Sequence, residues 1–508
     1  MNPDPTDQTE VVTFLSDPAT YGIDAPVEMI TTHSAHVFLA GDMAYKIKRA
    51  VKYNYLDFST LDARREVIAR ELALNAPAAP AIYDRVVKIT RDGAGRLALD
   101  GKGTPVEYAL RMHRFRREDE LTSIADAGKL TNDLADRLGR VVAGLHAAAE
   151  IRPSDGAALI GDIIEELREA LAPMDSILGR DRLAVYFGRT DRTFRDLASL
   201  LLQRSGEGRV RRCHSDLHLK NLVMIEGQPV PFDALEFDER LGTCDMVYDF
   251  AFLVMDLLHR GLSGQANALQ NSYLRQTRDY AGLATLPLFL SIRAAIRSMV
   301  AVQTMSGAVD DDIVREARNY LGQAIDFLDP SPPMLVAVGG LSGSGKTTIA
   351  VRLAPKLAPS PGAVHLRSDL ERKAMFGVEP LVRLPEDAYR SEINRDLYAR
   401  LLDEAEQVLL AGHSVIVDAT FLAAADREAV GRLAARLGVP FHGVWLTSDP
   451  ETLERRISAR TSDASDADAT VLRAQLERGT GPVSWTEIDT SGTLEQVTDR
   501  VAAALFTD

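Results

Sequence analysis

The chain has 508 residues, which is too many for a single hydrophobic core and predicts two or more domains. Its 46% hydrophobic and 26% charged residues are typical of a globular protein and exclude the disordered and fibrous classes. The formal net charge of −15 argues against a broad surface for duplex DNA or an anionic membrane, but it is compatible with a local basic pocket for phosphate.

The cysteine count and the lengths of the apolar runs argue against several further classes of protein. Cys213 and Cys244 are the two cysteines of the chain, which argues against a disulfide framework or a cysteine zinc site. The segment from Met1 to Glu10 is polar and acidic, with no apolar signal core. No uninterrupted run of eighteen apolar residues occurs. The sequence therefore predicts a cytoplasmic protein without a transmembrane helix.

The first predicted elements are β-strands. Residues 37–39 and 44–48 have the pattern of two strands around a short turn, and residues 106–112 that of a third strand. From about Asn132 the apolar spacing becomes helical, with one β interruption at residues 221–233. A small β-rich lobe followed by a larger helical lobe predicts an α+β bilobal fold for the N-terminal part.

A helix is predicted between the second and third strands. Ser59 and Asp62 have capping-box spacing, and the helical pattern extends to about Leu74. Glu71 falls within the apolar arc of this helix and is expected to face inward, whereas Glu66 is expected to face water.

The run from His214 to Asn221 reads H-x-D-x-x-x-x-N and is followed by a strand that ends at Asp233. Phosphoryl transfer needs a carboxylate that orients the attacking hydroxyl and accepts its proton, and it needs oxygen ligands that hold Mg²⁺ against the phosphates. Asp216 fits the first role, and Asn221 with Asp233 fits the second.

A lysine should complete this site. Lys46 follows Met43-Ala44-Tyr45 on a predicted strand and is the candidate for holding the α- and β-phosphates, with Lys48 on the same face as the alternative. Glu71 is predicted to hold that lysine in place.

On these residues the N-terminal part resembles the aminoglycoside phosphotransferase family, which shares the protein-kinase-like fold. The resemblance covers most of residues 25–320 and includes Asp245 to Ala251, which is similar to the Asp-Pro-x-x-Asp-Leu-Ala helix of that family. It implies that Asp249 supports the catalytic loop and that residues 112–114 form the hinge under the adenine. It also implies that ATP is the phosphate donor.

Two departures from the family pattern stand out. Ser215 occupies a position where the family usually has glycine, and no G-x-G-x-x-G loop precedes Lys46, so residues 31–36 would have to cover the phosphates. The family includes kinases for choline, sugars and other hydroxyl compounds, and residues 250–320 do not identify the acceptor.

The segment from Gly340 to Thr348 has the G-x-x-x-x-G-K-T spacing after an apolar run and at the start of a helical pattern. The glycines let backbone N–H groups turn inward around phosphate oxygens, and the helix N-terminus adds its positive end. Lys346 is expected to reach the β- and γ-phosphates, and Thr347 to offer its hydroxyl to Mg²⁺. The predicted nucleotide-binding residues of this loop are Gly340, Ser342, Gly343, Ser344, Gly345, Lys346, Thr347 and Thr348.

Further candidates follow the P-loop. A strand ends at Asp369, with Arg372 one helical turn later, and a second apolar strand ends at Asp418. This D-x-x-R pattern resembles polynucleotide kinases, zeta-type toxins and related small P-loop kinases. The resemblance implies that Asp369 is the general base, that Arg372 contacts phosphate and that Asp418 holds a Mg²⁺-bound water.

Arg456 and Arg460 lie four residues apart in a predicted helix and are predicted to be lid arginines that neutralise the transferring phosphoryl group. The alternative is a solvated helix edge paired with Glu451 or Glu454. The acidic stretch 464–469 is predicted to be a mobile loop.

Three prolines close together at residues 329–333 mark a boundary. The C-terminal domain is predicted to be α/β with a parallel sheet. The predicted organisation is an N-terminal extension (1–24), a kinase-like domain (25–328), a proline-rich linker (329–333) and a P-loop domain (334–508).

Three functions from different classes stay open on the sequence. The favoured one is a bifunctional phosphotransferase that uses ATP and Mg²⁺ to phosphorylate a hydroxyl of a small molecule or of an oligonucleotide 5′-end. The second is one active P-loop kinase or ATPase joined to a kinase-like binding or regulatory module. The third is a nucleotide-switched regulatory protein, for which the proline linker would permit relative motion. The oligomeric state is not predicted.

Overall fold

The computed structural model of the chain describes residues 7–53, 56–305, 310–459 and 463–506. The chain divides into two compact units. One consists of residues 1–160 and 199–256, and the other of residues 161–198 and 257–508.

The first part of the chain is built on an antiparallel sheet. Six strands lie in the order β1-β2-β3-β8-β6-β7, and all neighbouring pairs are antiparallel. The predicted strands at 37–39, 44–48 and 106–112 are confirmed as β2, β3 and β8. The elements up to residue 171 are α1 (Thr9–Ser16), β1 (Glu28–Thr31), β2 (Ala35–Ala40), β3 (Met43–Lys48), β4 (Lys52–Tyr53), β5 (Leu56–Asp57), α2 (Leu61–Asn75), β6 (Tyr83–Arg91), β7 (Leu97–Leu99), β8 (Thr104–His113), α3 (Leu121–Asp126), α4 (Asn132–Ala148) and α5 (Gly156–Leu171).

Two details of this lobe differ from the sequence analysis. The N-cap of α2 is Thr60, whose hydroxyl accepts from the Ala63 backbone N–H at 3.2 Å, so the prediction that Ser59 caps the helix was wrong. The short helix α1 was not predicted, and Val11 and Leu15 on it pack into the core of the six-stranded sheet.

Helices dominate the middle of the chain, as predicted, and the β interruption is the hairpin of β10 and β11. Strands β9 and β12 form a second antiparallel pair. The elements are α6 (Asp175–Leu178), α7 (Arg180–Gly206), β9 (Val210–Arg212), β10 (Leu222–Ile225), β11 (Gln228–Pro231), β12 (Thr243–Asp245), α8 (Met246–His259), α9 (Ser263–Thr277), α10 (Leu286–Gln303) and α11 (Asp311–Phe327).

Among the described residues, the segment Ala281–Gln303 is long and apolar enough to cross a membrane, and 67% of its apolar window is buried inside the structure. Arg293 and Arg297, together with serine and threonine residues, interrupt its apolar residues, so the segment is not an uninterrupted apolar run.

The C-terminal part is a five-stranded, fully parallel sheet in the order β14-β15-β13-β16-β17, which confirms the predicted α/β class. The carboxyl ends of β13, β14 and β15 lie side by side and place the residues that follow them at one edge of the sheet. The elements are β13 (Leu335–Gly340), α12 (Lys346–Leu353), β14 (Val364–Arg367), α13 (Ser368–Met375), α14 (Ser391–Leu410), β15 (Val415–Asp418), α15 (Ala424–Leu437), β16 (Phe441–Thr447), α16 (Pro450–Ser458), α17 (Ala469–Arg478), β17 (Thr486–Asp489) and α18 (Leu494–Phe506).

The two tryptophans of the chain, Trp445 and Trp485, pack together against this sheet. Their ring centroids are 6.5 Å apart, in an edge-to-face arrangement. A Cβ on Gly443 would lie 2.4 Å from the ring of Trp485, and one on Gly339 would lie 2.8 Å from the ring of Trp445. The rings therefore sit directly on the backbone of β13 and β16.

Candidate active sites

The first candidate site forms where β3, α2 and the segment after β11 meet. The Lys46 Nζ atom lies 2.7 Å from Glu71 Oε1 and 2.7 Å from Asp233 Oδ1. Burial alone would lower the pKa of Lys46, but the neighbouring carboxylates of Asp233 and Glu71 outweigh it and raise the pKa well above its usual value. Lys46 is therefore held as an ammonium group between the inward-facing helix glutamate and the aspartate after the strand.

Lys48 is a second lysine on the same strand face, and its side chain is 1% exposed. Its Nζ atom lies 2.7 Å from Glu71 Oε2 and 2.5 Å from Glu236 Oε1. The sequence left Lys46 and Lys48 as alternatives, but both bind Glu71, one on each carboxylate oxygen. Burial would raise the pKa of Glu71, but the two ammonium groups outweigh it and lower that pKa. Sequence reasoning did not identify Glu236, which has no motif signal beyond its position three residues after Asp233.

The catalytic loop is closed by hydrogen bonds among its own members. The Asn221 Nδ2 atom donates to the backbone carbonyl of Asp216 at 2.9 Å and to its carboxylate at 2.8 Å. The His218 Nε2 atom lies 3.4 Å from the other carboxylate oxygen of Asp216. The Asp233 N–H donates to the Tyr83 hydroxyl at 2.9 Å, which fixes the backbone at the end of the strand. The structure thus places Lys46, Glu71 and Asp233 together, and it links Asp216 to Asn221.

Asp249 supports this loop from behind. Its carboxylate accepts hydrogen bonds from the backbone N–H groups of Ser215 at 2.6 Å and His214 at 3.2 Å, and it lies 3.1 Å from His146 Nε2. Ligand atoms of His146, Cys213 and Asp249 lie within 4.8 Å of one another, but they are fully buried. Because both oxygens of Asp249 already accept backbone bonds, the cluster is explained as the support of the loop.

The two departures from the family pattern have structural counterparts. Ser215 has φ +67°, in the left-handed region that glycine adopts without strain. Residues 31–36 span the last residue of β1, the tight turn and the first two residues of β2. Arg49 donates to the carbonyls of Thr32 at 2.8 Å and His33 at 3.1 Å in this turn. At the expected hinge, the N–H groups of His113 and Arg114 donate to backbone carbonyls of Ile82 and Asp42.

The second candidate site is the loop between β13 and α12. The Lys346 Nζ atom donates to the carbonyls of Gly340 at 3.1 Å and Leu341 at 3.0 Å, so its amine folds back over the loop. Gly343 has φ +85°, and a Cβ there would lie 2.7 Å from the carbonyl oxygen of Leu453. This position therefore requires glycine for both conformation and space.

Neighbouring side chains brace the rest of the loop. Two hydrogen bonds join Ser342 to the side chain of Gln475. The Ser342 backbone N–H donates to Gln475 Oε1 at 2.9 Å, and Gln475 Nε2 donates to the Ser342 hydroxyl at 3.0 Å. The Ser344 hydroxyl is buried and has no hydrogen-bond partner among the described residues. Gly345 has φ +90° and caps α12, and Thr348 is exposed on its first turn.

Thr347 and Asp418 are in direct contact. The Thr347 hydroxyl donates to Asp418 Oδ2 at 2.6 Å, and His365 Nε2 lies 3.2 Å from the same oxygen. Burial would raise the pKa of Asp418, but the hydrogen bond from His365 and the nearby cations Arg367 and Lys346 outweigh it and lower the pKa to about 2. Asp418 is therefore ionised at neutral pH. His365 was not predicted, because a single histidine in a short strand carries no recognisable pattern.

Asp369 and Arg372 lie on the same face of α13. Burial, with the nearby charge of Asp418, raises the pKa of Asp369 above its usual value. The Arg372 guanidinium donates to the Ala388 carbonyl and to Asn394 Oδ1, each at 2.6 Å, and lies 4.8 Å from the ring centroid of Tyr389. Burial lowers the pKa of Arg372.

Of the two predicted lid arginines, the structure describes Arg456 but not Arg460. Arg456 donates to the hydroxyl and the carbonyl oxygen of Thr490, each at 2.9 Å, rather than pairing with Glu451 or Glu454. Arg460 lies outside the described residues. Arg427 is structural, because it donates to four backbone carbonyls.

Residues 464–468 form a loop without regular secondary structure, as predicted, but side chains and a backbone N–H from other segments bind it. The Asp466 carboxylate binds Lys373 Nζ at 2.7 Å, the Tyr389 hydroxyl at 2.6 Å and the backbone N–H of Leu384 at 3.0 Å. Three donors from two other segments hold this acidic stretch in place.

Residues of the P-loop site line a cavity of about 1270 Å³. The P-loop forms one wall of the cavity, and Asp369, Arg372 and Arg456 are also among the lining residues. A cavity of this size exceeds the usual range of about 300–1,000 Å³ for a single small ligand. The cavity therefore has room for more than one small ligand.

Comparison with protein families assigns both regions. Residues 52–286 match the phosphotransferase enzyme family, and residues 335–482 match an AAA domain family. The first match contains Asp216, Asn221 and Asp233, and the second contains the P-loop, Asp369 and Asp418.

Three similar proteins illustrate these matches. An uncharacterized protein of Mycobacterium tuberculosis strain H37Rv is 28% identical over 480 residues, which cover 92% of this chain and 93% of that protein. A shikimate kinase of Caulobacter vibrioides is 33% identical over 138 residues, covering 27% of this chain and 60% of the kinase. The structure of an amicoumacin kinase in complex with AMP-PNP and Ca²⁺ is 16% identical with a TM-score of 0.39, covering 63% of this chain and 94% of that one. The chain thus combines a region that matches the phosphotransferase enzyme family with a P-loop region that matches an AAA domain, and it is a kinase.

Proposed function

We propose that the protein is a bifunctional phosphotransferase in which each domain transfers the γ-phosphate of ATP to a hydroxyl group. The observation that carries this proposal is that both sites, although they lie in different folds, contain the same three kinds of functional group. Each site has an amine for the phosphates (Lys46 or Lys346) and a carboxylate for the acceptor proton (Asp216 or Asp369). Each also has a separate carboxylate suited to a metal ion (Asp233 or Asp418).

Both donor sets suit Mg²⁺, because they consist of carboxylate, amide and hydroxyl oxygens, which this hard cation prefers. Asn221 and Asp233 would hold it in the kinase-like site, and Thr347 and Asp418 in the P-loop site. When bound, Mg²⁺ supplies positive charge that stabilises the phosphate oxygens.

In the kinase-like site, Lys46 would exchange part of its contact with Asp233 for the phosphates while Glu71 keeps it in position. Asp216 would orient the acceptor hydroxyl and take its proton, and Asn221 holds the Asp216 carboxylate in place at 2.8 Å. The Asp249 bonds to the backbone N–H groups of His214 and Ser215 would keep the loop that carries this base in place.

In the P-loop site, Lys346 would leave the carbonyls of Gly340 and Leu341 for the β- and γ-phosphates. Asp369 would accept the proton from the acceptor, and its raised pKa makes it a stronger base than an ordinary aspartate. Arg372 and Arg456 line the same cavity and would contact the transferring phosphoryl group.

The acceptor is proposed to be a small hydroxyl-bearing molecule, with an oligonucleotide 5′-hydroxyl as the alternative for the P-loop site. The partial identity with a shikimate kinase supports the small molecule.

A second candidate function is an active P-loop kinase or ATPase coupled to a kinase-like binding or regulatory module. The observation that favours it is the turn at residues 31–36, which lacks glycine and whose carbonyls at Thr32 and His33 are occupied by Arg49. A turn held in this way has less freedom to close over phosphates than a glycine-rich loop.

The test is transfer of the γ-phosphate from labelled ATP, with Mg²⁺, to a panel of aminoglycosides, small hydroxyl metabolites and 5′-hydroxyl oligonucleotides. Wild type, Asp216→Ala and Asp369→Ala are compared side by side. Two products, each lost in one variant, support the bifunctional proposal. A product that depends only on Asp369, with ATP still bound at the kinase-like site, supports the second candidate. Products that survive in both variants would refute both roles.

A further inference from the structure

Helix α9 lies along the open edge of the P-loop sheet. Strand β14 is an edge strand, so one side of its backbone has no neighbouring strand. Asn267 donates to the Ala363 carbonyl at 3.0 Å, and the His365 N–H donates to Asn271 Oδ1 at 2.6 Å. Side-chain amides of α9 thus take the place of a sixth strand at the point where the chain enters β14.

Arg278 directly follows this helix and reaches a buried pair of acids. Its Nη1 atom lies 2.6 Å from Glu371 Oε2 on α13 and 2.6 Å from Glu404 Oε1 on α14. The Glu371 and Glu404 side chains are 6% and 8% exposed, and Arg400 pairs with both of them. Arg278 has φ +51°, a left-handed conformation that turns the chain at the end of α9 and carries the side chain to the acids.

The contact between Arg278 and Glu371 bears on the P-loop site because Glu371 lies on the helix that carries Asp369 and Arg372. Glu371 lies between Asp369 and Arg372 on α13, a helix of only eight residues. A helix this short has little stability of its own, so its position depends on the contacts of its side chains. Without Arg278, two buried carboxylates would face each other with Arg400 as their remaining ion-pair partner among the described residues.

We propose that Arg278 is a positioning residue of the P-loop site: by binding Glu371 and Glu404, it holds α13 so that Asp369 and Arg372 face the phosphates. Since α9 and Arg278 belong to the segment that matches the phosphotransferase enzyme family, part of that segment is then required by the P-loop enzyme. This inference depends on the proposed function only for the roles of Asp369 and Arg372.

The experiment compares Arg278→Ala, Arg278→Lys and a control, Arg432→Ala, in the full chain carrying Asp216→Ala. Arg432 belongs to the same unit, and its side chain is 68% exposed. Mg²⁺-dependent ATP consumption with the acceptor panel should fall about tenfold to a hundredfold in Arg278→Ala, while KM for ATP changes less than about threefold. Arg278→Lys should recover part of kcat, and Arg432→Ala should behave as the parent.

Hydrogen exchange separates this inference from the proposed function. Backbone amides of residues 368–375 should exchange faster in Arg278→Ala than in Arg432→Ala, while those of residues 346–353 should be unchanged. If α13 exchanges at the parental rate, the inference fails whatever the activity. If the parent shows no Asp369-dependent turnover, the proposed function fails, and the exchange experiment still decides whether Arg278 holds α13.

Folding is checked by cooperative thermal unfolding. If Arg278→Ala does not fold, the double variant Arg278→Gln/Glu404→Gln replaces it, because it removes one charge of each sign and leaves Arg400 paired with Glu371. Faster exchange in α13 together with lower kcat in this variant supports the proposal. Parental values for both would overturn it.

Discussion

The two sites hold their phosphate-anchoring lysines in opposite ways. Lys46 is bound by carboxylates 25 and 187 positions away in the sequence. Lys346 is bound by backbone carbonyls five and six positions away. The P-loop lysine is therefore held locally by backbone, whereas the lysine of the kinase-like site is held by an ion-pair network between distant segments. This difference predicts that mutations near the lysine will affect folding in the kinase-like site and chemistry in the P-loop site.

The largest expected effect is on stability, in Lys48→Met. This change leaves Glu236 buried without its lysine and weakens the hold on Glu71, which should lower the free energy of unfolding by about 3–5 kcal/mol. Denaturant unfolding measures the effect. Lys52→Met is the control, because Lys52 pairs with Asp57 and is 72% exposed, and no measurable change is expected there. Equal stability of the two variants would contradict a network-based site.

Lys346→Met should have the opposite profile. The loop keeps its backbone fold, so the unfolding midpoint should hardly move, but loss of the ammonium group should lower the Asp369-dependent rate by about 10²–10³-fold. The exposed Lys356→Met, ten positions further along the chain, is the matched control. A strongly shifted midpoint in Lys346→Met would erase the contrast between the two sites.

These contrasts explain how much could be predicted from the sequence. The P-loop, Asp418 at the end of β15 and Asp369 were identified because each lies in a contiguous motif; the predicted strand ends two residues earlier, at Arg367, and Asp369 lies on α13. Glu71 was identified because helical periodicity shows which face is inward. Glu236, His146 and His365 were missed, because their partners are brought to them by the tertiary fold.

The acidic stretch 464–469 shows a different limit. Its composition is typical of a solvated loop, and the donors that bind Asp466 lie on segments between residues 373 and 389. Composition reports how a segment prefers water, but it does not report which cations and hydroxyl groups the fold places against it.

A third prediction concerns pH at the P-loop site. Asp369 must be ionised to accept a proton, and its pKa is raised, so the Asp369-dependent rate should fall on acidification at a higher pH than an ordinary aspartate would require. Acidification should therefore lower the activity, but the raised pKa of Asp369 makes its contribution to stability larger at low pH. A raised pKa in the folded state stabilises the fold at low pH, and this contribution is lost as the pH rises through that value.

The comparison that checks this is Asp369→Asn against wild type across pH. The variant should lose activity but gain stability relative to wild type toward neutral pH, where the wild-type carboxylate is charged. A variant that is less stable than wild type at neutral pH would show that the Asp369 charge is favourably paired instead.

The smallest expected effect is at Ser215. Glycine relieves the left-handed strain at φ +67°, so Ser215→Gly should raise the stability of the kinase-like lobe by about 1 kcal/mol. Its Asp216-dependent activity should be retained, because the Ser215 contact with Asp249 is made by the backbone N–H. Loss of activity would show that the hydroxyl has a role of its own.

The packing of the two tryptophans has a practical consequence for separating the sites. Both rings lie on the sheet that carries the P-loop, and Trp445 touches β13, the strand that leads into the loop. Intrinsic tryptophan fluorescence of the intact protein therefore comes entirely from the P-loop region. An ATP titration followed by this signal reports on that region, and a change in the signal reports an event at the P-loop sheet without cutting the chain.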